Sequence, residues 1–145
     1  MLPAEAHAQG AGPFASLSGS WSGGGTISLA SGASERIRCR AAYDVGSGGR
    51  AVQLSIRCAS DSYNFDLAGS VVSQGGAITG TWSESSRGVN GTVSGRASGN
   101  QIQAYAQGSG FSAGLSLATH GNRQSVVIRP TGADVTSVSI ALARR

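Results

Sequence analysis

The sequence contains no lysine, and charged residues make up only 12% of its 145 residues. That share is about half of what soluble proteins usually carry. Eleven arginines against seven acidic residues give a formal net charge of +4. Low charge combined with 23 glycines could indicate disorder. The regular spacing of Val, Ile, Leu and aromatic residues argues instead for a folded chain, and the length suits one domain.

Long hydrophobic runs are also missing. No apolar stretch approaches the ~20 residues that a membrane-spanning helix needs. Aromatic girdles are absent, and the faces expected to point outward carry Ser, Thr, Gln and Arg rather than apolar residues. An outer-membrane barrel needs the opposite pattern. The sequence therefore predicts no transmembrane segment.

Catalytic and metal-binding motifs are absent as well. The only two histidines are His7, near the start, and His120, in a predicted turn. There is no Ser-His-Asp order, no His-Glu-x-x-His and no cluster of Cys and His. Glu35 and Glu84 fall on inward faces near strand ends, where acidic residues commonly sit on a barrel rim. We therefore expect no enzymatic activity, no metal site and no cofactor.

Two cysteines, Cys39 and Cys58, are present, and an even number in an exported chain predicts one disulfide. Near the start, the triplet 6–8 (Ala-His-Ala) has the small-x-small form of a signal-peptidase site. We expect residues 1–15 to be a disordered tail left from a signal peptide and residues 16–145 to form the single domain. The expected location is periplasmic or secreted.

From Leu17 onward, apolar and polar residues alternate with period two, which is the signal of a β-strand. Eight to ten such runs follow one another every 8–13 residues or so, separated by turn residues such as the Gly99-Asn100 pair. The pattern predicts an all-β fold, with an antiparallel up-and-down β-barrel of eight to ten strands as the first choice. A β-sandwich is the alternative. Closure into a barrel would also remove exposed sheet edges.

The cysteine pair provides a test of the strand register. If Cys39 faces Cys58 in a hairpin, residue numbers on the two strands sum to 97, which places Tyr43 opposite Leu54. Both of those side chains then point inward, so the disulfide and the alternation agree. Closing a loop of this size should stabilise the fold by roughly 3 kcal/mol in the chain-entropy model.

The inward face is rich in Gly and Ala. Such small residues either leave an internal cavity or let strongly coiled strands bend, and the sequence leaves both possibilities open. A cavity lined by aromatic side chains would suit a small apolar or amphipathic ligand. The candidate ligand-binding residues are Trp21, Tyr43, Phe65, Trp82 and Phe111.

The outward face of the second and third strands is basic. The register places Arg40 directly opposite Arg57, and like charges in that position are destabilising. An anionic partner would relieve the repulsion, unless the face is simply solvated. Export favours an anionic lipid, a glycan or a protein over nucleic acid. The candidate contact residues are Arg36, Arg38, Arg40 and Arg57.

The segments 17–21 (L-S-G-S-W) and 78–82 (I-T-G-T-W) each contain Gly-x-Trp. This motif resembles the start of lipocalin and avidin barrels, which belong to the calycins, and of small periplasmic barrels that inhibit bacterial metalloproteases. The overall pattern is similar to that of uncharacterised exported bacterial barrel proteins. The resemblance implies an up-and-down barrel in which Trp21 plugs the closed end, with Trp82 as a second candidate for that role. We expect a non-enzymatic ligand-binding barrel, or alternatively an interaction or inhibitor module of the bacterial envelope.

Overall fold

A computed structural model describes residues 12–145, and it contains ten β-strands and two single-turn 3₁₀ helices. The alternation seen in the sequence predicts these strands because side chains of a strand point alternately to its two faces. The 3₁₀ helices span Ala15–Leu17 and Ser47–Gly49. The strands are β1 (Gly19–Leu29), β2 (Ser34–Gly46), β3 (Ala51–Ala59), β4 (Asn64–Gln74), β5 (Ala77–Glu84), β6 (Val89–Ser98), β7 (Gln101–Gly108), β8 (Phe111–His120), β9 (Arg123–Thr131) and β10 (Val135–Arg144).

The ten strands form one closed antiparallel barrel in which each strand pairs with its neighbours in the chain. Strand β1 pairs with β10 as well as with β2, and this last pairing closes the sheet. The predicted up-and-down barrel is thus confirmed with the upper number of strands, and the sandwich alternative is excluded. Cys39 lies directly opposite Cys58 and is bonded to it, so the predicted disulfide and its register are also confirmed.

The barrel domain begins earlier than the sequence indicated. Residues 12–15 were expected to belong to the tail, but Phe14 is only 1% exposed and packs in the core. The backbone amides of Gly12 and Phe14 donate to the carbonyls of Gly48 and Gly49. A single large apolar side chain anchors this segment, and its neighbours gave no alternating pattern to reveal it. The remainder of the predicted tail, including the 6–8 triplet, lies outside the described residues.

The core consists of the inward-facing side chains of β1, β2, β3, β9 and β10, with further residues from the other strands. Trp82, Ala106 and Ala113 are buried too, but they lie outside this main cluster. Ile78, Ile102 and Leu117 from β5, β7 and β8 belong to or pack against the main cluster, whereas Trp82, Ala106 and Ala113 lie nearer the other ends of their strands.

Two inward-facing glycines show what many of the small residues do. A Cβ at Gly25 would lie 1.7 Å from the carbonyl oxygen of Ser139, and one at Gly91 would lie equally close to the carbonyl oxygen of Gln107. No side chain fits there, so these glycines let neighbouring strands approach and bend. At these positions the bending explanation holds, and the glycines do not by themselves create a cavity.

Candidate functional site: the barrel interior

One end of the barrel is closed by the segment that precedes β1. Phe14, Leu17 and Trp21 are all buried there, and the indole N–H of Trp21 donates to the carbonyl of Leu17 at 2.8 Å. The guanidinium of Arg144, near the end of β10, lies over the Trp21 ring. It also donates to the carbonyls of Ser16 and Ser18. These contacts join the first and last strands at this closed end.

A buried hydrogen-bonded chain crosses the interior near the closed end. The Tyr43 hydroxyl, on β2, donates to Oε1 of Gln124, on β9, at 2.7 Å. The Gln124 amide in turn donates to the Thr119 hydroxyl at 3.4 Å. Burial raises the pKa of Tyr43 well above its usual range, so the phenol stays neutral. These polar groups satisfy one another and form the floor of the interior.

The far wall carries an aromatic pair near the other end. Trp82 lies against Phe111 with their ring centroids 5.6 Å apart. The Trp82 indole N–H donates to the backbone carbonyls of Thr92 and Gln107, at 3.1 and 3.3 Å. Such bonds to the strand backbone hold the ring against the wall of the barrel, so that it does not project across the interior.

Between these packed regions, large inward-facing side chains remain partly exposed. In a closed barrel, solvent can reach a mid-strand inward side chain only through the interior. Their half-burial therefore indicates that solvent reaches part of the interior, which we call the lumen. The lumen residues are Leu54, Leu67, Val93, Leu115 and Ile128, each half-buried and each from a different strand.

The end opposite Trp21 is the mouth of the lumen, because no segment of residues 12–145 crosses it beyond short hairpin turns. At its edge, the buried carboxylate of Glu84 accepts hydrogen bonds from the backbone N–H groups of Asp66, Ser86 and Arg87 and from the Arg87 side chain. Burial works to raise the pKa of Glu84, but these hydrogen bonds outweigh it and lower the pKa to about 2.

A second carboxylate lies on the same rim. Glu35, at the start of β2, accepts hydrogen bonds from the Ser60 hydroxyl and the Ser62 amide in the β3–β4 turn. Hydrogen bonds from Ser62 and Ser60 lower the pKa of Glu35. The β3–β4 hairpin is therefore flanked by one ionised carboxylate on each side, with the exposed Asp61 at its tip.

The basic outer wall has the predicted register. Arg40 pairs directly with Arg57 across β2 and β3. Arg57 has an acidic neighbour that sequence reasoning missed, because its Nε lies 3.5 Å from Asp66 on β4. Across residues 12–145, the Arg38 and Arg40 side chains make no hydrogen bond or ion pair. The same holds for Arg36. An open outer groove of about 760 Å³ is lined by residues that include Arg38, Arg40, Arg57, Asn64 and Asp66.

The five predicted ligand-binding residues are not brought together. Trp21 and Tyr43 are buried in the closed end, where hydrogen bonds occupy their polar atoms. Phe65, Trp82 and Phe111 lie near the mouth, and of these only Phe65 and Phe111 are half-buried. The aliphatic lumen residues were not singled out from the sequence. Their inward direction could be read from the alternation, but the packing that leaves them partly exposed could not.

Within the described part of the chain, no group of three or more His, Cys, Asp or Glu is placed to hold a metal ion. Over the same residues, no helix combines the length and the apolar character needed to cross a membrane.

Comparisons with known proteins support the fold alone. No protein-family model matches the sequence, and no curated protein matches it. The structure is similar to that of Rv2717c from M. tuberculosis, with a TM-score of 0.66 and 16% identity over 90% of this chain and 93% of the other. It is also similar to the S-type phycobiliprotein lyase CPES from Guillardia theta, with a TM-score of 0.64 and 10% identity over 91% and 90% of the two chains. This chain therefore shares an antiparallel barrel fold with both.

Proposed function

We propose that this protein is a non-enzymatic, exported, calycin-like barrel that binds a small apolar or amphipathic ligand in its lumen. The observation that carries the proposal is the half-burial of the five lumen residues. An apolar ligand in contact with them would remove their remaining surface from water, which contributes about 25 cal/mol per Å². The disulfide is compatible with an oxidising compartment.

The shape of the barrel also supports an internal ligand. The floor around Trp21 and Tyr43 is closed and the mouth is not covered by residues 12–145, so a ligand would enter from one side. Apolar walls with few polar groups are typical of small-molecule sites. One protein of similar fold is named a phycobiliprotein lyase, although the likeness at 10% identity concerns the fold.

A blocking substitution tests this proposal. Val93→Trp would fill the lumen from β6, whereas Ser94→Trp places the same side chain on the outer face of the adjacent position. The neutral fluorophore N-phenyl-1-naphthylamine, titrated into both variants, should bind wild type and Ser94→Trp alike. The Kd of Val93→Trp should rise at least about tenfold. Equal binding by both variants, or none by wild type, would reject a ligand-binding lumen. Native mass spectrometry of fresh protein would show any copurifying ligand.

A second candidate function is contact with an anionic partner through the outer wall, as expected of an interaction or inhibitor module. It is favoured by the unpaired Arg38 and Arg40 side chains beside an open groove within residues 12–145. Guanidinium groups bind carboxylates and phosphates through paired hydrogen bonds.

The salt concentration at which the protein elutes from heparin tests whether the β2 surface, rather than the net charge of the protein, binds an anionic partner. Two triple variants change the net charge equally: Arg36, Arg38 and Arg40 to Ser on β2, or Arg96, Arg123 and Arg129 to Ser elsewhere on the barrel. If the β2 surface is the contact, only the first variant should elute at clearly lower salt. Equal shifts would show that net charge alone governs retention and would reject the surface.

A further inference from the structure

Among residues 12–145, no cation in the lumen is able to pair with a buried anion. All eleven arginines lie within the described residues, and the chain has no lysine. Ten of the arginines are exposed, on outward-facing positions, in turns or at the end of the chain. The eleventh, Arg144, is half-buried at the closed end, where its three guanidinium nitrogens bond to Ser16, Ser18 and Asn122.

The lumen also offers few free hydrogen-bond donors. The buried polar residues are Ser73, Glu84, Thr119 and Gln124. Among residues 12–145, no buried side-chain nitrogen or oxygen lacks a partner. Burying an ionised group without a partner costs several kcal/mol. A carboxylate, phosphate or sulfonate inside this lumen would bear that cost in full.

The mouth of the lumen does not provide the cation that the interior lacks. Its rim between β2 and β5 carries Glu35, Asp61 and Glu84. Arg87 is the arginine nearest Glu84, and it is bonded to Glu84 at 3.1 Å and to the carbonyl of Asn64 at 3.0 Å, with its guanidinium 5.8 Å from the Phe65 ring centroid. Arg36, beside Glu35 on β2, points to the outer face. An anionic headgroup at this part of the rim would meet three carboxylates and a guanidinium that is already paired with Glu84, which disfavours it.

We infer that the lumen selects ligands that are uncharged along their buried length and discriminates against anionic amphiphiles such as fatty-acid anions. This inference rests on the proposed lumen function. It narrows the ligand to neutral apolar molecules, or amphipathic ones with a neutral or cationic head at the mouth. The basic outer wall does not alter this, because the alternation in β2 places Arg38 and Arg40 on the exposed outer face of the sheet.

Two fluorophores with one skeleton test the inference directly on the wild-type protein. N-phenyl-1-naphthylamine is neutral, and 1-anilinonaphthalene-8-sulfonate is the same skeleton bearing a sulfonate. Their Kd values for the lumen should differ on the order of 100-fold in favour of the neutral probe. Lumen binding is the part of each signal that Val93→Trp removes. Sulfonate binding that survives in Val93→Trp occurs outside the barrel and is consistent with the inference.

The outcomes separate the inference from the proposed function. If both probes bind with similar Kd and Val93→Trp abolishes both, the lumen binds ligands but does not exclude anions, and the inference fails alone. If neither probe binds, the lumen function itself fails.

A variant with a new cation in the lumen tests the inference independently. Ala104→Arg introduces an inward cation opposite Leu115, whereas Tyr105→Arg adds the same charge on the outer face. In a folded Ala104→Arg protein, the ratio of the Kd of the sulfonate probe to the Kd of the neutral probe should fall at least about tenfold. Tyr105→Arg should leave the ratio unchanged. An unchanged ratio in folded Ala104→Arg would count against charge exclusion.

Discussion

The guanidinium carbon of Arg144 lies 4.3 Å from the centroid of the Trp21 ring. This contact joins the last strand of the barrel to the first, at the end where the chain enters it. Trp21 is fully buried and Arg144 is partly exposed, so the cation covers the outer face of the indole. The same guanidinium donates hydrogen bonds to the carbonyls of Ser16 and Ser18, at the end of the 3₁₀ turn.

Replacing Arg144 by methionine should therefore destabilise the barrel. The variant keeps an apolar chain over Trp21 but loses the cation–π contact and the hydrogen bonds to two carbonyls. We expect the free energy of unfolding to fall by about 2 kcal/mol, measured by urea denaturation. Arg145→Met removes the same charge from the next, exposed residue and should have little effect. Equal unfolding midpoints for the two variants would contradict a sealing role for Arg144.

Inward-facing glycines at close strand contacts should not tolerate even one methyl group. Gly25→Ala would drive a Cβ against the Ser139 carbonyl and force β1 away from β10. We expect a loss of about 2 kcal/mol or more, or failure to fold. Gly114→Ala is the matched control, since its Cβ would meet nothing within 4 Å. A Gly25→Ala protein as stable as Gly114→Ala would show that the strands can separate freely.

The strand pattern and the disulfide could be predicted from the sequence because both depend on whether a residue occupies an odd or an even position in its strand. This alternation tells which face of the sheet a side chain is on, but not where the residue lies along the barrel axis. It therefore grouped Trp21 and Tyr43 with Phe65, although the first two lie in the closed end and the last lies near the mouth.

Two further features had no local signal. The contact between Arg144 and Trp21 joins residues 123 positions apart (144 minus 21) and depends on closure of the sheet. The role of Gly25 depends on how closely β10 approaches it. In the sequence, a glycine that permits bending is indistinguishable from one that leaves a cavity.

The disulfide should contribute measurably to stability. It links two adjacent strands and closes a loop with a sequence separation of 19. In the chain-entropy model, removing a bond of this span costs about 3 kcal/mol. The double variant Cys39→Ser, Cys58→Ser should unfold at correspondingly lower urea concentration than the oxidised wild type. Wild type kept in reductant should behave like the double variant, and stability unchanged by either treatment would contradict the prediction.

The free energy of unfolding should depend on pH through Glu84, at the mouth of the barrel. The pKa of Glu84 is lowered from the ordinary value of 4.5 to about 2 in the folded protein, so the folded state favours the ionised form. A group whose pKa is lowered on folding contributes stability that is present above pH 4.5 and is lost as the pH falls toward 2.

Glu84→Gln should therefore be less stable than wild type at pH 7, by about 2 kcal/mol for the loss of charged hydrogen bonds. The gap between the two proteins should shrink as the pH falls below 4.5. Urea unfolding at pH 7, 4.5, 3 and 2 measures it. Glu35→Gln is the comparison, because that carboxylate also accepts two hydrogen bonds at the rim but is more exposed, so the loss should be smaller. A constant gap between wild type and Glu84→Gln from pH 7 to 2 would show that the Glu84 charge is not what closes the β5–β6 turn onto β4.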